Sequence, residues 1–286
     1  MRIILLGAGT PTPTPDRFGT SYVVQVGSEY LMFDCGPATT YKLAKTGLRP
    51  TQVDYLFFTH HHFDHNVDYP CFLLTRWDQS IGRENILQVY GPALTQALTE
   101  RILDKEKGAF AHDWKARVNH PGSQKVHILR GGTLPRKPPI VKAKDIGPGK
   151  VCSGNGWEVT AAPAVHAQPW LDSLAYRLDT GEGSVVVTGD TVPCQSVTDL
   201  AHGADVMLCM CWDHQQRMEE TSLSNGMCGT LGAAQMAQKA GVKRLVLVHI
   251  SKDLARPGEM EKALGDVAKS YGGQVVWGEE LMEVPL

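Results

Sequence analysis

Long apolar runs are missing from this sequence of 286 residues. The first, Ile3–Leu6, meets Gly7-Ala8-Gly9 at once, short of the roughly 7–15 residues of a signal h-region and of the ~20 that span a bilayer. Neither a secretion signal nor a membrane span is therefore expected. A surplus of one charge sign is missing too: 28 Lys+Arg stand against 30 Asp+Glu, a formal net charge of −2. Without an overall basic excess, nucleic acid is not the expected partner. Paired cysteines are also absent. Cys35, Cys71, Cys152, Cys194, Cys209, Cys211 and Cys228 are odd in number and show no C-x-x-C spacing, which argues for reduced thiols in a cytoplasm. With 29 glycines and 17 prolines, and 42% hydrophobic residues, the chain is not of low complexity and is long enough to bury a sizeable core. What it has in plenty is histidine: 11, of which His60, His61, His62 and His65 fall within six positions.

Local patterns predict strands at Ile3–Leu6, Tyr22–Val26, Tyr30–Phe33 and Val53–Thr59, the last an apolar, β-branched and aromatic run interrupted only by Asp54, the look of a buried strand. A helix is expected over Pro37–Thr46, and a strand-to-helix unit over Ile86–Tyr90 and Pro92–Lys105. Residues 106–150 carry no clear period and are read as an insertion, a lid, pocket wall or dimer contact, within one domain spanning 1–286. Order resumes with strands at Trp157–Ala162, Ser173–Leu178, Ser184–Thr188, Ala204–Cys211 and Arg244–Val248. Helices are expected at Gln195–His202, Thr230–Ala240 and Pro257–Tyr271. Such alternation implies sheets covered by helices.

Thr59-His60-His61-His62-Phe63-Asp64-His65 follows a buried strand, so its side chains occupy a loop at a strand's carboxyl end, a usual place for chemistry. Alternation turns His60 and His62 to one side and His61 to the other, while Asp64 and His65 can curl around a second centre. Four N/O ligands so close can hold two metals, and neutral imidazole with carboxylate suits Zn²⁺ first, with Mn²⁺ or Fe as alternatives. A solvated histidine loop or an expression tag is the plain alternative, but a tag sits at a terminus and would not contain Phe63-Asp64.

These residues resemble the signature H-x-H-x-D-H of the metallo-β-lactamase superfamily, and other motifs of that family follow in order. The similarity points to His166 in Ala164-Val165-His166-Ala167, Asp190 in Thr188-Gly189-Asp190-Thr191 and His249 in Leu247-Val248-His249-Ile250. It implies an αββα sandwich of two mixed β-sheets with outer helices. It also implies one metal held by His60, His62 and His166, the other by Asp64, His65 and His249, with Asp190 bridging and a hydroxide between the metals as nucleophile. Asp64 would also orient that nucleophile, and Asp34 in Phe33-Asp34-Cys35-Gly36 would fix a ligating imidazole.

The opening Leu6-Gly7-Ala8-Gly9-Thr10-Pro11-Thr12-Pro13 is similar to that of the tRNase Z, PhnP-type phosphodiesterase and arylsulfatase-like branches. It is neither a dinucleotide fingerprint nor a P-loop. Against tRNase Z itself, only 24 positions separate His166 from Asp190, too few for the long tRNA-binding arm. The family's His-Glu proton relay aligns with Cys209-Met210, and a later histidine with Cys228; methionine cannot relay a proton. His214 is the candidate substitute for proton transfer, and Trp170, Trp212 and Cys228 are candidate pocket residues, the tryptophans as flat walls for an aromatic group. The expectation is a dinuclear-metal hydrolase of a small ester, lactone, sulfate or phosphodiester, and the resemblance alone implies a homodimer. Its alternatives are a tRNase Z-like phosphodiesterase with an altered relay, a hydrolytic dehalogenase of an activated aromatic, and a non-catalytic metal sensor.

Overall fold

The computed structural model describes residues 1–81 and 85–286. Strands β1 (Arg2–Ala8), β2 (Thr20–Val26), β3 (Glu29–Phe33), β4 (Val53–Phe57), β5 (Leu87–Gly91) and β6 (Val141–Asp145) belong to one sheet. Strands β7 (Gly149–Gly154), β8 (Trp157–Pro163), β9 (Leu174–Thr180), β10 (Gly183–Val187), β11 (Val206–Met210), β12 (Arg244–Val248) and β13 (Gln274–Trp277) form the other. A last strand, β14 (Glu283–Val284), returns to pair with β1. The orders are β14-β1-β2-β3-β4-β5-β6 and β13-β12-β11-β10-β9-β8-β7. Each sheet has the same grammar: four strands joined antiparallel, then three added in parallel.

The unbroken apolar strands are explained by burial on both faces. In β1, Ile3 and Leu5 enter the core between the sheets, while Ile4 and Leu6 face the helices outside. In β12, Val246 and Val248 point between the sheets and Leu245 and Leu247 outward. Burying each such side chain contributes roughly 1.5–3 kcal/mol. Phe33 stacks on Phe57 with centroids 5.1 Å apart, and the Tyr176 hydroxyl donates across the sandwich to Phe58 O at 2.8 Å. That bond joins the two sheets immediately below the histidine loop.

The first sheet is covered by helices α1 (Thr39–Lys45), α2 (Phe63–Asn66), α3 (Tyr69–Gln79), α4 (Thr95–Leu103), α5 (Ala111–Asn119) and α6 (Pro121–Leu129). The second carries α7 (Gln195–Leu200), α8 (Gln215–Glu220), α9 (Thr230–Ala240) and α10 (Glu259–Ser270). The expected αββα sandwich is thus the architecture found. Helix α9 ends on Gly241 in the left-handed region (φ 65°), which lets the amides of Gly241 and Val242 donate back to the carbonyls of Gln238 and Ala237.

Several local readings differ, with α2, α8, β13 and β14 also outside the expected elements. Helix α3 is not among the expected elements, although Tyr69, Phe72, Leu73 and Arg76 are buried at helical spacing. The fourth helix begins at Thr95, not Pro92, because Pro92 O first accepts the Thr95 amide in a turn. Residues 106–150 hold the pair α5 and α6, then β6, the outer strand of one sheet, and the start of β7, the outer strand of the other. No residue of α6 is buried, which is why that stretch shows no core-facing period. Among the described residues no helix is long and apolar enough to cross a membrane, and the seven cysteines are free.

Candidate metal centre

Five strands deliver the site, each at its carboxyl end: β3 to Asp34, β4 to His60–His65, β8 to His166, β10 to Asp190 and β12 to His249. Parallel pairing of β3 with β4, and of β10, β11 and β12, puts these ends on one rim of the sandwich. Asp34 and His249 both adopt left-handed backbone, φ 60° and 54°, an uncommon conformation for which Asp and His are among the more tolerant residues.

The imidazoles are aimed from behind. The Thr59 amide donates to Asp34 Oδ1 at 2.7 Å, and the Thr59 hydroxyl donates to Asp34 Oδ2 at 2.8 Å. His65 Nδ1 donates to the same Oδ2 at 2.8 Å, so the other nitrogen, Nε2, faces the cleft. Thr59 Oγ lies 3.1 Å from His60 Nδ1 and, already donating to Asp34, acts as acceptor there. His166 Nδ1 donates to Gly226 O at 2.6 Å. His61 points away, with Nε2 2.8 Å from Thr95 Oγ, pinning the loop to α4.

Seven donors then converge. His60, His62, His166 and Asp190 form one group and Asp64, His65 and His249 another, each with its donor atoms within 4.8 Å of one another. His62 Nδ1 is 3.0 Å from His60 Nε2 and 3.2 Å from His166 Nε2. His249 Nε2 is 3.2 Å from Asp64 Oδ2 and 3.3 Å from Asp190 Oδ2. Asp190 lies between the groups: Oδ2 is 3.8 Å from His166 Nε2 and Oδ1 is 3.5 Å from His65 Nε2. His65 Nε2 and Asp190 Oδ1 are buried without hydrogen-bond partners. Lone pairs crowded together with orphaned donor atoms suit divalent cations, because a cation satisfies every one of them at once.

Protonation favours the same use at four of the donors, whereas Asp190 and Asp34 push the His65 imidazole up in spite of its burial, so an ion there would take the place of a proton. Burial pushes the His60 and His62 imidazoles down, so both stay neutral with a free lone pair. Burial alone would raise the Asp190 carboxyl, but His249 and His65 outweigh it and hold the group well below the usual carboxylate range. Asp64 is likewise lowered against its burial, chiefly by the hydrogen bond from His249.

Other expected residues lie elsewhere. His214 is buried, but its Nε2 is 2.9 Å from Glu259 and its Nδ1 3.7 Å from Asp266, both on α10, so its ring faces the outer helix layer and not the cleft. Cys228 is fully buried in the core outside the second sheet, beside Cys209 and Cys211, and forms no pocket wall. Met210 at the relay position accepts the Thr191 amide on its sulfur at 3.0 Å, supporting the turn after Asp190. Trp212 packs half-buried with its ring 5.6 Å from that of His249, and Trp170 is 89% exposed. The supports that sequence reading missed are Thr59, adjacent to the motif, and the carbonyl of Gly226, which no residue type announces.

A family model described as a beta-lactamase superfamily domain matches residues 29–250. The Ribonuclease Z of Mycobacterium bovis is 28% identical over 99% of this chain and 98% of its own, and that of Mycobacterium avium is 29% identical over the same shares. Among solved structures, the metallo-beta-lactamase fold protein YhfI of Bacillus subtilis is similar with a TM-score of 0.73 at 18% identity, covering 99% of this chain and 98% of that one. Human tRNase Z, short form, has a TM-score of 0.71 at 19% identity, covering 100% and 99%. The names of the curated relatives stand against the expectation that nucleic acid is not a partner. Net charge constrains only the sum over the surface, not the charge at a cleft. The chain belongs to the beta-lactamase superfamily and is a metal-dependent hydrolase of that fold.

Proposed function

We propose that the protein is a dinuclear-metal phosphodiesterase that cleaves RNA, as its Ribonuclease Z relatives are named for doing, with a proton relay altered from theirs. The observation that carries this reading is the pair of donor groups with Asp190 between them. Two divalent ions, Zn²⁺ foremost with Mn²⁺ or Fe as alternatives, would supply a nucleophile at neutral pH and offset charge on the attacking and departing oxygens of a phosphodiester. His60, His62 and His166 would hold one ion and Asp64, His65 and His249 the other, with Asp190 facing both. Asp64 Oδ2 would also orient the attacking water. Asp34 and Thr59 keep His65 and His60 in the tautomer that leaves Nε2 free.

A small-molecule substrate is the second reading, favoured by the relay positions: Cys209, Met210 and Cys228 are buried and His214 faces α10. With no imidazole to protonate the departing oxygen, a leaving group stable as an anion would react fastest. We also infer a homodimer in a reducing, cytoplasmic setting. Its contact would be the face of α6, where Val126, Ile128 and Leu129 are 46%, 51% and 76% exposed. Light scattering of a monomer at working concentration would remove that part.

The deciding experiment incubates purified protein with a 3′-extended tRNA precursor, bis(p-nitrophenyl) phosphate, and chromogenic esters, lactones and sulfates, with and without chelator. Chelator-sensitive cleavage of the RNA supports the main reading. Turnover of small substrates with intact RNA supports the second, and metal-loaded protein inert throughout would make it a sensor.

A further inference from the structure

We propose that the open side of the metal centre carries a ring-binding rim, built by Phe63 and Trp170, that takes the nucleobase next to the scissile phosphate; the inference rests on the phosphodiesterase reading. The two donor groups are not equally accessible. Asp64, His65 and His249 are buried, whereas His62 is exposed and His166 half-buried, so a ligand enters over the His62–His166 edge. Three chain segments meet there. The His62 and His166 rings lie 4.9 Å apart, which sets loop 60–65 beside loop 164–171, and the 2.6 Å bond from His166 Nδ1 to Gly226 O brings in loop 222–227.

Each of these segments carries an exposed apolar side chain close in sequence to the edge: Phe63 (54% exposed) adjoins His62, Val165 (44%) adjoins His166, Trp170 (89%) follows it by four positions, and Leu223 (38%) precedes Gly226 by three. The other five tryptophans of the chain are buried or half-buried. Trp170 is placed by a tight turn, its amide donating to Ala167 O at 3.0 Å, and among the described residues its ring touches no other ring and no cation. A bare indole and a bare phenyl ring flanking a polar, anion-seeking centre divide the recognition: the donors take the phosphate and the rings take a flat, sequence-tolerant π-face. An unsaturated base is the occupant that this combination fits, since its flat π-face covers an indole ring more fully than the small, puckered ribose can.

The test compares AMP with ribose 5-phosphate by titration calorimetry on the zinc-loaded protein. The wild type should bind AMP at least about tenfold more tightly than ribose 5-phosphate, the size expected for one base on one aromatic ring. Trp170→Ala or Phe63→Ala should remove most of that preference while ribose 5-phosphate binding stays within about twofold, and Trp170→Phe should restore it. Both residues are exposed, so metal content and thermal unfolding should match the wild type. Equal affinity for the two ligands in the wild type, or no measurable binding of either, overturns the proposal, as does equal weakening of both by Trp170→Ala. Loss of the phosphodiesterase reading is separable: a protein that prefers AMP but leaves bis(p-nitrophenyl) phosphate and RNA intact keeps the rim and loses the reaction.

Discussion

The substitution Asp34→Asn keeps the shape of the side chain and removes its charge. The new carboxamide can still accept the Thr59 amide on its carbonyl oxygen. Its nitrogen then faces the Thr59 hydroxyl and His65 Nδ1, which both donate to Asp34 Oδ2 at 2.8 Å in the native protein. Two donors cannot bond to each other, so His65 must take the tautomer with its proton on Nε2. That is the atom 3.5 Å from Asp64 Oδ2 and 3.5 Å from Asp190 Oδ1, where the lone pair is needed. Loss of such an outer partner costs roughly 10–100-fold in metal affinity, or about 1.4–2.7 kcal/mol. The loss should be larger in the group of Asp64, His65 and His249 than in that of His60, His62 and His166, which Asp34 reaches only through the Thr59 hydroxyl. Alanine is the poorer probe: it strands three buried donors at about 1–3 kcal/mol each, comparable with the whole stability of a domain. Titration with a chromophoric chelator, read with zinc stoichiometry by elemental analysis, should show one site weakened more than the other. Equal weakening of both sites, or of neither, refutes the argument.

Asp190→Ala and His62→Ala should each lose at least one metal equivalent and nearly all turnover, and unchanged metal content would overturn the ligand assignment. Burial pushes His61 down to about 4, whereas the unfolded imidazole titrates near 6.5. The unfolded chain therefore binds this proton first, and stability on the order of 3 kcal/mol is lost as pH falls from about 6.5 to about 4. Urea unfolding of metal-free protein at neutral pH and near pH 4.5 should show a smaller drop for His61→Gln than for wild type, and equal drops would exclude this origin. A Cβ at Gly36 would overlap the carbonyl oxygen of Asp64 and press on the backbone of Thr20. Gly36→Ala should cost about 1–3 kcal/mol, and an unchanged midpoint in the same assay would show that the loop yields freely.

The legibility of this chain follows from what each contact is made of. The loop His60–His65 stands out because imidazole and carboxylate side chains cluster in sequence, and strands such as Val53–Phe57 and Arg244–Val248 stand out because both faces are buried. His166, Asp190 and His249 each look ordinary alone, and only their order after the first motif marks them. The direction of the His214 ring is set by Glu259 and Asp266, 45 or more positions away, and neither residue type distinguishes a cleft from a helix interface. Gly226 acts through a backbone carbonyl that every residue possesses. Helix α6 is hidden for the opposite reason: it buries nothing, so its sequence carries no periodic demand.

The matching grammar of the two sheets has a consequence for when the protein can hold metal. His60, His62, Asp64 and His65 come from the first sheet, while His166, Asp190 and His249 come from the second. Neither half owns a complete set, so a nascent chain with only β1–β6 folded offers four donors and no more. An ion that binds only the docked pair stabilises docking by mass action, about 2.7 kcal/mol when free metal stands at 100 times the dissociation constant. Metal occupancy thereby becomes a report of assembly: a molecule whose sheets part sheds its ions, and one that retains them has its halves closed.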